Sequence, residues 1–205
     1  SILGKARPHS SDLRDGLANS LALLGSLGDR PIPGSTMTPA NWASWIVSDL
    51  LKQGNESKDV SLWASLDDVL PEVAEGAPDA FLDAVSQGLE GAPPLLQAIF
   101  IDNEAAGPFM HATHSGLLWG LEICAWSPDH FGRAVDLLAR LAEVDPGGRY
   151  ANRPFNSLRE IFLPWHPQNA VEIKRRLDVI DALRQRHAAV AWRLMLALLP
   201  ESQSV

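Results

Sequence analysis

Ser127-Pro128-Asp129-His130-Phe131-Gly132-Arg133-Ala134-Val135 decides how the chain is read, because Ala77-Pro78-Asp79-Ala80-Phe81-Leu82-Asp83-Ala84-Val85 stands fifty positions before it. The pattern Pro-Asp-x-Phe-x-x-Ala-Val therefore occurs twice. In each copy a proline can open a helix where its missing N–H costs nothing, and Phe, Ala and Val fall at i, i+3 and i+4 on one face. A Leu-Trp pair precedes each copy, Leu62-Trp63 and Leu118-Trp119, inside a further apolar run. A two-helix unit used twice predicts an all-α chain, an α-solenoid or HEAT-like array of antiparallel helix pairs, each burying its face against the next.

Outward from that repeat the helical signals continue in both directions. Toward the N-terminus, Ser10, Ser11 or Asp12 can cap a helix whose Leu13, Leu17, Leu21, Leu24 and Leu27 form one continuous stripe and which stops at Gly28. Residues 29–37, with Pro31, Pro33 and Gly34, read as a loop. Thr38-Pro39 restarts a helix that carries Trp42, Trp45, Ile46 and Leu50 inward and ends near Gly54. The helix from Ser61 is expected to break or kink before Pro71, and a short apolar helix over residues 95–101 closes the first unit. Toward the C-terminus, Asp145-Pro146-Gly147-Gly148 stops the second unit, and Ser157-Leu158-Arg159-Glu160 has the form of a capping box. Asn169 can cap a helix with Ile173, Leu177, Ile180 and Leu183 inward. A final apolar helix covers residues 188–199 and is either buried or the open end of an array.

The expected organisation is a single helical-repeat domain over 1–205. Residues 1–9 are a lead-in, 10–54 a first helix pair, 61–101 and 115–146 the related units, and 156–200 the C-terminal helices. Trp63, Trp119 and Trp126 are expected to fill space between helices.

Composition sets bounds. Hydrophobic residues at 46% exclude wholesale disorder. A single cysteine, Cys124, allows no intrachain disulfide and fits a reducing cytoplasm. The run over 188–199 is shorter than the roughly 20 residues that span a bilayer, so no membrane association is expected. The start at Ser1 suggests a piece of a longer protein. Net charge is −8, unevenly spread: between Arg149 and Arg193, nine bases face four acids. A chain this acidic is a poor general nucleic-acid binder, yet its C-terminal third can attract acidic partners.

Candidate sites are few. His111 and His114, three apart and preceded by Asp102 and Glu104, are weak candidates for a zinc site; a lone His-x-x-His lacks a third ligand and a general base. Cys124, with His130 six residues on, has the residue types of a thiol nucleophile and its base, but its neighbours Ile123, Ala125 and Trp126 favour a core cysteine. Gly147-Gly148 belongs to no phosphate-binding loop, and no cofactor is expected. Arg149, Asn152, Arg153, Trp165 and His166 lie in two turn segments with interface chemistry, or they lock the joint between repeats. Lys174, Arg175, Arg176, Arg184 and Arg186 form a basic group, either a phosphate-contacting surface or the solvated face of a helix.

Read together, Trp126-Ser127-Pro128, Asp145-Pro146-Gly147-Gly148-Arg149, Asn152-Arg153-Pro154 and the string from Ser157 to Gln168 (Ser-Leu-Arg-Glu-Ile-Phe-Leu-Pro-Trp-His-Pro-Gln) resemble a helical segment of large, multidomain bacterial proteins of mostly uncharacterised function. Some of those carry NTP-binding modules and are linked to defence against foreign DNA. The resemblance covers roughly residues 60 to 200 and implies a scaffold or sensing segment, with no catalytic residue to carry over. The expected function is a non-catalytic scaffold that binds protein or another domain of its own chain. Nucleic-acid contact through the basic third is the alternative, and a metal-dependent enzyme the third.

Overall fold

Helix starts and stops follow local chemistry in the computed structural model, which describes residues 9–101, 113–163 and 170–199. The Ser10 hydroxyl accepts from the Leu13 amide at 3.2 Å and opens α1, Ser11–Ser26; Gly28, at a φ of 62°, turns the chain after it. Thr38 accepts from the Asn41 amide at 3.3 Å and opens α2, Pro39–Glu56. Pro71 has no amide to donate, and the run that begins at Ser61 is split into α3, Ser61–Ser65, and α4, Leu70–Gly76. Then come α5, Pro78–Gly88, and a 3-10 helix, Leu95–Phe100. Asp67 takes the Gly116 amide at 2.7 Å in the first turn of α6, Ser115–Cys124. Ser127 starts α7, Pro128–Val144, and α8, Pro154–Glu160, α9, Ile173–Arg186, and α10, Ala188–Ala197, complete the series. All regular structure among the described residues is helical.

Contacts follow chain order in two series. In one, α1 packs on α4, α4 on α6, α6 on α8 and α8 on α10; in the other, α2 packs on α5, α5 on α7 and α7 on α9. Cross-contacts join α1 to α2, α4 to α5, α6 to α7 and α9 to α10. One continuous core runs between them, from Val47 and Leu51 through Trp63, Phe81, Phe100 and Phe131 to Leu158 and Leu194.

The first series depends on residues without side chains. A Cβ on Gly25 of α1 would collide with the carbonyl oxygen of Gly76 in α4, and one on Gly116 of α6 with the carbonyl oxygen of Asp67. At Gly120 it would come within 2.8 Å of the Phe81 ring and 3.3 Å of the Leu70 oxygen. In the second series the two Pro-Asp-x-Phe copies open α5 and α7, which touch, and Phe81, Val85, Phe131 and Val135 are all buried. The tryptophans of the Leu-Trp pairs diverge. Trp63, on the split-off α3, is fully buried and donates from Nε1 to Asn55 at 3.0 Å, whereas Trp119 is 52% exposed.

Several apolar stripes read from the sequence turn outward. On α1 only Ala18 is buried, while Leu13, Leu17 and Leu27 are exposed, because α1 has neighbours on one side only, α2 and α4. The buried stripe of α2 is Ala43, Val47, Leu51 and Gly54; these small and aliphatic residues let α5 approach, and Trp42 and Trp45 are left at the rim, edge to face at 5.8 Å. Ile173 and Leu177 of α9 are exposed, and Leu183 alone of its expected stripe is buried. Trp126 is 45% exposed and fills no interior space. Ser157 does not cap a helix: α8 already begins at Pro154, whose fixed φ suits the first helical position, and Ser157 lies inside it, buried. Asn169 lies outside the described residues, and the residue preceding α9 is Glu172, which makes no side-chain cap.

The glycine contacts predict opposite outcomes at two helical positions. Gly116→Ala should lower unfolding free energy by about 1–3 kcal/mol through backbone collision. Gly16→Ala, with nothing within 4 Å, should raise it by about 0.5–1 kcal/mol through helix propensity. Urea melts of the two variants beside the parent chain measure both.

Candidate functional site

Three places collect chemically interesting side chains: a buried joint around Arg153, a charged cleft on the second helix series, and an apolar groove at the N-terminal end.

The joint is built where the end of α7, the 3-10 helix and the starts of α6 and α8 meet. Asp145 follows α7; its carboxylate accepts from the Gly147 amide at 3.0 Å, which suits the tight turn that the positive φ of Gly147 continues. The same oxygen accepts from Arg153 at 3.1 Å, and that Arg153 nitrogen also donates to the Phe100 carbonyl at 2.9 Å. Both side chains are almost wholly covered. His114 is buried beside them and donates from Nε2 to the Asn152 carbonyl at 2.7 Å, with Phe100 and Tyr150 rings 5.0 and 5.9 Å away. Loss of solvent pushes the His114 pKa down; the hydrogen bond to Asn152 opposes this and the nearby Arg153 charge adds to it. Arg149 donates to the Tyr150 hydroxyl at 3.2 Å and lies over its ring, and Asn156 donates to the Ala151 carbonyl. Of the interface candidates, Arg153 and the Asn152 carbonyl bond within the joint, and Arg149 is exposed beside it against Tyr150. Trp165 and His166 lie outside the described residues, as does His111. The Nε2 of His114 is engaged by a backbone carbonyl, and no group of three potential metal ligands occurs among the described residues.

Cys124 is buried, and burial pushes its thiol up to about 12, which suits a small core hydrophobe and not a nucleophile.

The charged cleft, of about 450 Å³, opens between α5, α7 and α9. Arginines lace it. Arg133 of α7 reaches back to Asp79 at 2.8 Å and to Asp83 on α5, and Arg186 of α9 reaches Asp136 of α7 at 2.8 Å. Arg175, Asp129 and Asp178 also line the cleft. The basic group read from the sequence is therefore dispersed: Arg184 lies 3.6 Å from Asp181, Arg176 donates to the Val171 carbonyl at 3.0 Å, and Lys174 is exposed. Its field is offset by acids close at hand.

The apolar groove, of about 470 Å³, lies between α1, α2 and α4 and is lined chiefly by Leu17, Leu21, Leu24, Ile46, Leu50 and Leu66. Arg14 closes one end, donating to the Ser65 carbonyl and to Asp68, each at 2.7 Å. Sequence periodicity assigned most of these residues to the core and so missed the groove. The available signal was the leucine content of α1, which adds Leu23 to the expected stripe and gives a wider apolar arc than one neighbouring helix can cover. In comparisons of the chain with family models, curated proteins and solved structures, nothing matched.

Two outcomes follow for the joint. Arg153→Met strands the covered Asp145 carboxylate and should cost about 3–5 kcal/mol in denaturant melts. For His114, whose pKa is depressed on folding, the unfolded chain binds the extra proton first. Stability is therefore full above the unfolded value of about 6.5 and falls as pH drops below it toward the folded value. His114→Gln retains a donor for Asn152 but does not titrate. The stability difference between parent and His114→Gln, followed from pH 8 to pH 5, should show this limb in the parent alone.

Proposed function

We propose that the chain is a non-catalytic helical-repeat scaffold, an α-solenoid or HEAT-like stack that binds another protein or another domain of a larger polypeptide. The observation that carries the reading is the set of exposed large apolar side chains on the first and last helix pairs among the described residues. At the N-terminal end Leu13, Leu17, Trp42 and Trp45 are exposed, and at the C-terminal end Ile173, Leu177, Trp192 and Leu196. Stacked repeats bury their faces only against neighbours, so terminal faces are either polar caps or binding surfaces. Each of these carries large apolar side chains among its charged ones. The two contact series in chain order and the adjacent Pro-Asp-x-Phe helices support the stack. The resemblance of the segment around residues 126–168 supports a place in a multidomain, cytoplasmic bacterial protein of the defence-linked kind. No helix among the described residues is long and apolar enough to cross a membrane.

Photo-cross-linking tests it. A photoreactive amino acid in place of Trp45 or Leu196 should yield protein adducts in the source cell, and one in place of exposed Asp83, away from both ends, should not. Titration with single- and double-stranded DNA and RNA at low and moderate salt should be flat. Binding that falls steeply with salt and is lost in Arg175→Glu would replace the scaffold with a phosphate-contacting module.

A further inference from the structure

We infer that the apolar groove between α1, α2 and α4 is a binding site for a small linear amphiphile: an uncharged, medium-chain lipid whose alkyl chain lies along α1 and whose head accepts a hydrogen bond from Arg14. The inference is independent of the scaffold reading and adds a ligand to the first helix pair.

Size and shape narrow the occupant first. The volume of about 470 Å³ lies in the range of small-molecule sites, roughly 300–1,000 Å³. The lining follows the helix axes: Leu17, Leu21 and Leu24 of α1 recur at i, i+4 and i+7, and Ile46 and Leu50 of α2 at i and i+4. From Arg14 to Leu24 the groove extends about 15 Å along α1. A slot of this form suits a single extended chain. A partner helix, about 10 Å across with its side chains, does not enter between helices that already pack on one another, as α1 does on both α2 and α4.

Burial supplies the driving force. Ala18, Val69 and Val73 of the lining are covered, while Leu17 is 63% exposed and Ile46 37%. An alkyl chain laid between them takes apolar surface of both partners out of water.

Arg14 selects the head. Its side chain is 19% exposed, and Nη2 donates to the Ser65 carbonyl and to the Asp68 carboxylate, each at 2.7 Å, which fixes the guanidinium. Its Nε and Nη1 have no acceptor among the described residues, so these donors are available to a ligand. Ser20, the other polar residue of the lining, is engaged by the Gly16 carbonyl of its own helix at 2.7 Å. Asp68 already balances the Arg14 charge. An anionic head would therefore be repelled by Asp68 while it is attracted by Arg14, and a cationic head would face the guanidinium. A neutral acceptor, an ester or amide carbonyl, takes the free donor with neither penalty.

Calorimetric titration of the chain with monododecanoylglycerol, held below its micelle concentration, should show saturable binding of one molecule per chain. Dodecanoate and dodecyltrimethylammonium should bind about tenfold more weakly. Ser20→Trp places an indole over the groove from an exposed position of α1 and should abolish binding, with circular dichroism verifying that the variant stays helical. Arg14→Met removes the donors and leaves Asp68 without its counter-charge. Binding of the ester should fall about tenfold or more, and the preferred head should change from ester to ammonium, which a merely structural role for Arg14 would not produce.

Absence of saturable binding by all three probes overturns the inference, as does binding that survives Ser20→Trp, which would mean adsorption elsewhere. Dodecanoate bound as tightly as the ester, or an unchanged order of the three probes in Arg14→Met, overturns the part given to Arg14 and with it the uncharged head.

Discussion

The close backbone approach of α1, α4 and α6 is the constraint on which the rest depends. α4 is only seven residues long, too short to be stable alone, and it lies between two longer helices: a side chain at Gly25 of α1 would meet its Gly76 carbonyl, and one at Gly116 of α6 the Asp67 carbonyl just before it. Close contact does what length cannot. With the axes near each other, the short helix buries Leu70, Val73 and Ala74 completely or nearly so, and the second series can sit over it with Phe81 reaching Gly120. A larger residue at Gly76 would move α1 outward and open the groove further, since its Cβ would lie 3.0 Å from the Leu21 oxygen.

The second series is held by different means. Its helices carry larger side chains at the contacts, and arginines cross from one helix to the one before: Arg133 to α5, Arg140 to the Ser86 hydroxyl at 3.0 Å and the Leu89 carbonyl at 3.3 Å, Arg186 to α7. The Arg140–Leu89 bond satisfies a carbonyl just past the end of α5 that the helix leaves unpaired. Gln97 does the same for the Val144 carbonyl at the end of α7, at 2.9 Å. Arg153 extends the device into the interior, where it joins the 3-10 helix to the chain leaving α7. Most of the directional bonds between elements are thus assigned to helix ends and turns. The helix faces are left to apolar packing.

That division explains what could be read from the sequence. Helix existence was legible from short-range chemistry: the caps at Ser10, Thr38 and Ser127, the prolines at 39, 78 and 128, and the stop after Val144 all act within a few residues. Facing was less legible. Periodicity identifies an apolar stripe but not whether a neighbour covers it, and α1, α2 and α9 each carry apolar residues on more of their circumference than their neighbours reach. Trp63 and Trp119 stand in similar local sequence yet meet different fates, because Pro71 detaches α3 from α4 and turns Trp63 toward Asn55. At the candidate site, His114 and Arg153 stood out by residue type. Their burial depends on Phe100, Asp145 and Asn152, which are remote in sequence from one or the other, and no local pattern announces such a meeting.

The exposed ends have an energetic consequence. Each offers about four large apolar side chains already half in contact with the protein, so burying them fully would recover roughly half of the 1.5–3 kcal/mol that each is worth when taken from water. From both partners together this is on the order of 10 kcal/mol, similar to the roughly 4–15 kcal/mol that association costs in lost freedom. Apolar area alone therefore leaves such a joint near balance. The deciding contribution must come from the fit and the directional bonds that a particular partner supplies.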